Sequence, residues 1–166
     1  MTIILGVDPG LQRTGWGVLI SKQNQLSFVN CGVITSTNNM PMSERLKQLH
    51  DGLIEVARVY GVDESAVEET FMNNNAASAL KLGQARGAIL LALSLAGLQV
   101  NEYSATMVKK SVVGKGHADK QQVAMMVKTL LPGSNAVKAD ASDALAVAIC
   151  HAHHRTLNRI TAGAQA

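Results

Sequence analysis

A chain of 166 residues with 47% hydrophobic and 16% charged content is long enough to bury one sizeable core and too apolar to be disordered over most of its length. Only 3% of its residues are aromatic, so the core must be built from Val, Ile, Leu, Ala and Met, a composition that suits helices layered on a sheet. A net charge of +3 permits a polyanionic partner without requiring one, and the two cysteines, Cys31 and Cys150, are too few for a disulfide framework or a Cys-based zinc site and point to reduced thiols in a cytoplasmic protein.

The chain begins with Thr2-Ile3-Ile4-Leu5-Gly6-Val7, a short apolar and β-branched run that fits a strand buried on both faces in the middle of a sheet. Pro9 and Gly10 end it, and they leave Asp8 at its exit, where a carboxylate can meet solvent. Taken alone, Asp8 could be a turn residue bonded to its own backbone. No basic leader precedes the strand, and the longest apolar segment, residues 88–98, is interrupted by Ser94 and Gly97, so a soluble intracellular protein without a membrane span is expected.

Residues 15–21 and 26–34 read as two further strands joined by the polar loop Lys22-Gln23-Asn24-Gln25, giving three adjacent antiparallel strands. After Pro41 the spacing of Leu46, Leu49, Leu53, Ile54 and Ala57 predicts a helix ending at Tyr60 and Gly61. Ala66-Val67-Glu68-Glu69 is the next strand, placed beside the first by a right-handed parallel crossover. Either Glu68 or Glu69 can then reach Asp8, but not both, because successive side chains leave opposite faces of a strand. A solvated acidic strand end is the alternative.

Asn73, Asn74 and Asn75 offer caps for a long helix over residues 76–96, apolar on more faces than one sheet can cover. Residues 98–103 return as a strand, 106–113 form a short helix, and a helix from Asp119 or Lys120 to Leu131 follows the loop Gly114-Lys115-Gly116-His117. A last helix runs from about Asp140 to about Arg155, and residues 156–166 lack periodicity and are expected to be a disordered tail after a single domain over residues 1–155.

Asp140 and Asp143, three apart at a helix start, lie on one face and could equally cap it. Acids from several elements meeting at one spot would repel each other unless a cation lay between them, and oxygen donors that leave room for phosphate suit magnesium, the outline of a two-metal phosphodiester site. Lys109, Lys110, Lys115, Lys120, Lys128 and Lys138 form a lysine-rich half suited to a phosphate backbone or simply to solubility. The loop at Gly114 lacks the pattern of a nucleotide P-loop. Cys150, His151, His153 and His154 suggest zinc less well than they suggest helix-end histidines.

These residues resemble the RuvC family of Holliday-junction resolvases along nearly the whole chain. The resemblance rests on residues 3–10 with Thr14-Gly15, on Val67-Glu68 with Phe71-Met72, on residues 79–87, on residues 112–120, and on Ala139-Asp140-Ala141-Ser142-Asp143-Ala144-Leu145-Ala146. It implies an α/β, RNase H-like fold with a central mixed five-stranded sheet flanked by helices. It also implies a structure-selective endonuclease that resolves four-way DNA junctions by paired symmetric nicks, in recombination and repair.

The resemblance makes Asp8, Glu68, Asp140 and Asp143 the catalytic and metal-binding carboxylates, choosing Glu68 over Glu69, with two Mg2+ per site for which Mn2+ can substitute. It gives Phe71 a stacking role on an unpaired base and makes Lys109 and Lys120 DNA contacts, beside Lys115 of the glycine loop. It implies a homodimer and the branch-migration partners RuvA and RuvB. Leu11-Gln12-Arg13 departs from the family's loop after Gly10, and Glu69 adds an acid. The competing readings are an RNase H-like nuclease of RNA processing, an ATPase of the actin and sugar-kinase type, and a non-catalytic junction-binding protein.

Overall fold

The three opening strands pair as their short connections require. A computed structural model describes residues 1–70, 75–134 and 138–163, with side chains as far as Arg155. Strand β1 (Thr2–Asp8) runs antiparallel to β2 (Arg13–Lys22), which runs antiparallel to β3 (Gln25–Thr35). Helix α1 (Met42–Tyr60) then crosses over so that β4 (Glu64–Glu68) lies parallel to β1 on its other side. Helix α2 (Ala76–Leu95) leads in the same way to β5 (Val100–Tyr103), parallel to β4. The result is the expected mixed five-stranded sheet, in the order β3-β2-β1-β4-β5.

Strand alternation divides the core in two. Leu5 and Val7 of β1, Val18 of β2 and Val67 of β4 meet Leu53 and Val56 of α1 and Ile89 and Leu93 of α2 on one face. Ile4, Leu19 and Ala66 point the other way, onto Leu145 and Ile149 of α5 (Ala139–Gly163). Val108 of α3 (Ala105–Val113) and Val123 and Val127 of α4 (Lys120–Leu130) pack on that second face too. Ser104 caps α3 by accepting from Met107 N, Asp119 and Gln122 form a reciprocal capping box on α4, and Asn75 caps α2 through Ser78 N.

Helix α5 sits unusually close to the sheet because glycines stand beneath it. A Cβ on Gly6 would lie 2.1 Å from the carbonyl oxygen of Ala144, and one on Gly15 would lie 2.1 Å from that of Asp140. Neither clash could be relieved by moving a side chain, since the obstacle is helix backbone. These two glycines therefore set the height of α5 over β1 and β2, and with it the position of the helix's first turn.

Two expectations need correction. The final helix does not stop near Arg155: it continues through 156–163, where a disordered tail was expected, because no glycine or proline interrupts it before Gly163. The rest of that expected tail, 164–166, lies outside the described residues. His151 and His154 are not helix-end residues, since the helix runs past them. His151 is buried, which lowers its pKa and keeps it neutral, so its Nε2 donates to Glu64 Oε2 at 2.9 Å while Nδ1 accepts from the Tyr103 hydroxyl at 2.9 Å. Arg155 closes the network with two 2.7 Å bonds to Glu64 and one of 3.0 Å to Thr2 Oγ1. Cys150 Sγ and His154 Nδ1 are 3.5 Å apart, and His154 Nδ1 lies 2.8 Å from the Cys150 carbonyl, a contact along one helix and not a zinc site.

Candidate active site

The site forms where β1 and β4 end side by side. Their parallel register pairs Gly6 with Ala66 and Val7 with Val67, and one further step sets Asp8 beside Glu68. Ala66 faces α5, so Glu68, two residues on, faces α5 as well. Glu69 is exposed on the opposite side, its backbone N–H donating to the Tyr103 carbonyl at 2.8 Å. Strand register thus selects Glu68 on physical grounds. The turn after Asp8 is pinned by Thr14, whose hydroxyl donates to the Gly10 carbonyl at 2.7 Å and accepts from the Gly10 N–H at 3.3 Å.

Asp143, on the first turns of α5, comes down over these two carboxylates. Together with Lys109 of α3 and Lys120 of α4 the three acids line a cavity of about 130 Å³, walled on its apolar side by Ala105, Val108, Val123 and Ala146. Lys120 Nζ lies 3.5 Å from Asp143 Oδ2. Five of the expected site residues therefore converge from five different elements.

The electrostatics are those of crowded acids. Asp8 is pushed up from 3.8 to about 7, first by burial, then by the charges of Glu68 and Asp143, with Lys120 opposing. Burial also raises Glu68, with Asp143 adding to the rise, and it raises Asp143, while Lys120 and Lys109 pull both back. Placing three negative charges here is costly, and a positive charge placed between them would be correspondingly welcome.

Among the described residues, no three acidic, histidine or cysteine side chains are drawn into a preformed coordination cluster; the three acids share a cavity instead. The donor set still fits a hard divalent cation. It consists of carboxylate oxygens alone, their protonation is shifted upward first by burial and then by neighbouring acids, and the cavity leaves space for water and a phosphate oxygen.

Asp140 is not in the cavity lining. Its Oδ2 accepts from Arg13 Nε at 2.6 Å, at the edge of the site, although its charge is felt by both Asp8 and Asp143. Lys115 lies on the exposed loop between α3 and α4 and does not line the cavity either. Phe71 lies outside the described residues. Sequence reasoning passed over Arg13, treating it only as a loop departure, and no spacing rule could have paired it with a residue 127 positions away. Arg13 also lines a neighbouring groove with Lys138, Phe28 and Gly32.

Comparison with known proteins places this arrangement. Residues 4–151 match the family model described as crossover junction endodeoxyribonuclease RuvC. A protein of that name from Paramagnetospirillum magneticum is 60% identical over 152 residues, 92% of each chain. One from Rhodopseudomonas palustris is 55% identical over 152 residues, 92% of this chain and 87% of its own. The solved structure of Thermus thermophilus RuvC in complex with Holliday junction substrate superposes with a TM-score of 0.89 at 32% identity, covering 95% of this chain and 97% of that one. With a family match across nearly all of the sheet and helices that build the site, the chain belongs to the RuvC family of crossover junction endodeoxyribonucleases.

Proposed function

We propose that this protein resolves four-way (Holliday) DNA junctions by paired symmetric nicks, through metal-dependent phosphodiester hydrolysis, in DNA recombination and repair. The observation that carries the reading is the meeting of Asp8, Glu68 and Asp143 with Lys109 and Lys120 at one cavity, in a chain 60% identical to a named RuvC. Acids alone would repel a phosphodiester and lysines alone would only bind it. The combination would suit a metal cation held by the acids, with the lysines adding positive charge for the phosphate.

In this reading Asp8, Glu68, Asp143 and, after a side-chain rotation, Asp140 would hold two Mg2+ ions, with Mn2+ able to substitute. When bound, the ions supply an activated water and offset charge on the scissile phosphate and the leaving 3′ oxygen. Lys109 and Lys120 hold the phosphate from the lysine-rich side, with Lys115 contacting DNA further out. The apolar wall of Val108, Val123 and Ala146 limits water on the remaining side. Phe71 is assigned to stacking on an unpaired base at the crossover.

Two strands must be cut to separate a junction, and one chain provides one set of acids. The active unit is therefore read as a two-fold homodimer. Leu91 and Leu95, 55% and 65% exposed on α2, are the surface offered for it. Among the described residues no helix is long and apolar enough to cross a membrane. The family reading assigns the protein to the cytoplasm, beside RuvA and RuvB.

The test is to incubate the protein with strand-labelled four-way junctions and with linear duplex, with and without Mg2+. Symmetric nicks in the junction, dependent on the metal and absent from the duplex, are expected. Junction binding without cleavage, or equal cleavage of both substrates, would overturn the reading.

A further inference from the structure

Asp140 has two possible partners, and the fold restricts how it can choose between them. Its carbonyl oxygen is packed over Gly15, where even a methyl group would come within 2.1 Å, so the backbone of this turn cannot settle any closer to β2. The Ser142 N–H donates to the Lys138 carbonyl at 2.9 Å, fixing the same turn from the other side. With the turn held at these two points, rotation of the side chain is the simplest way for the carboxylate to change partner. In one rotamer it meets the Arg13 guanidinium, as found here at 2.6 Å; turned inward it would join Asp8 and Asp143, whose charges already sense it.

We propose that Arg13 is a positioning residue that competes with the divalent cation for Asp140, holding the fourth carboxylate out of the site until a cation draws it in. The proposal rests on the reading of the cavity as a metal site. Repulsion from Asp8 and Asp143 favours the outward position of Asp140, and Arg13 gives that position a partner. Both side chains are partly exposed, 48% and 37%, so the pair is weak enough to be exchanged. Cation affinity in the DNA-free protein is thereby lowered by the cost of breaking the Arg13 contact.

The experiment is a titration of the whole, DNA-free chain with Mn2+, free ion being read by electron paramagnetic resonance. Arg13→Gln should bind Mn2+ roughly two- to fivefold more tightly than wild type, the range expected for releasing an exposed ion pair. Neutralising any nearby cation could raise affinity through space, so two further proteins decide the cause. Lys138→Gln, which removes an equal charge beside the same groove, should show a smaller gain or none. In an Asp140→Asn background, Arg13→Gln should make no difference. A gain that persists in that background, or equal affinity in wild type and Arg13→Gln, would overturn the role of Arg13 while leaving the metal site standing. Absence of Mn2+ binding in wild type and Arg13→Gln alike would overturn the metal-site reading itself.

Discussion

Lys120, at the first position of α4, reaches to within 3.5 Å of the Asp143 carboxylate while its side chain remains 86% exposed. A pair so open to water contributes under about 1 kcal/mol to folding. Its value lies in holding a cation at the mouth of an acidic cavity. Lys120→Ala should therefore leave the unfolding midpoint almost unchanged, slow junction cleavage, and lower the slope of log affinity against log salt by about one unit. An unchanged salt slope would remove Lys120 from the phosphate contacts.

Asp8 gives a pH signature in the metal-free protein. Its carboxyl rises from 3.8 to about 7 on folding, so the folded state holds the proton more tightly than the unfolded chain. The cost of ionising it is absent below the lower value, grows across the interval, and is complete above about 7. Stability should fall as pH rises through this window, by on the order of 4 kcal/mol. Asp8→Asn should raise the melting temperature by several degrees at about pH 8 and by much less at about pH 5, while abolishing cleavage and sparing junction binding. A melting difference independent of pH would show that Asp8 ionises normally.

Glu68 and Glu69 are neighbours in sequence and opposites in the sheet. Glu68→Gln should abolish cleavage with the fold intact. Glu69→Gln, at an exposed side chain whose backbone bond to Tyr103 is unaffected, should cleave at nearly the wild-type rate. Strand-specific cleavage assays on both variants check this, and the reverse pattern would mean that the β4 register at the site is wrong.

Gly15→Ala tests the close approach of α5. Its Cβ would drive against the Asp140 carbonyl, so the start of the helix must lift, carrying Asp140 and Asp143 with it. Destabilisation of about 1–3 kcal/mol is expected from the overpacking. A single-turnover cleavage rate lower by roughly a hundredfold is expected from misplacing the acids by about an ångström. Gly83→Ala, in α2 with open space around it, should gain stability of up to about 1 kcal/mol in denaturant unfolding, separating a glycine needed for contact from one that is not.

Much of this was legible in the chain. The β1 run and its Pro-Gly ending located Asp8, and the crossover rule placed β4 beside β1. Glu68 over Glu69 required knowing which face of β4 carries Ala66, a fact of packing that alternation alone does not supply. The outward turn of Asp140 was hidden because it depends on Arg13, a contact between the start of β2 and the start of α5 that no local pattern records. The histidines of α5 misled in a related way. Read along the helix they looked like its end, and read across the fold His151 joins Glu64 and Tyr103 from two strands.

The order of the elements along the chain bears on how the enzyme comes into being. Asp8 and Glu68 are synthesised early, but Asp143 and the cover over the glycines of β1 and β2 belong to α5, which follows every strand of the sheet. Sheet and helix meet only through contacts between stretches far apart in the sequence, the kind that form late because they close the longest loops. Until α5 has left the ribosome and docked, the growing chain holds two of the cavity's three carboxylates and exposes the sheet face they share. On the proposed assignment of these carboxylates, a nascent chain is unable to nick DNA, and the power to cut appears only once that helix has emerged and settled.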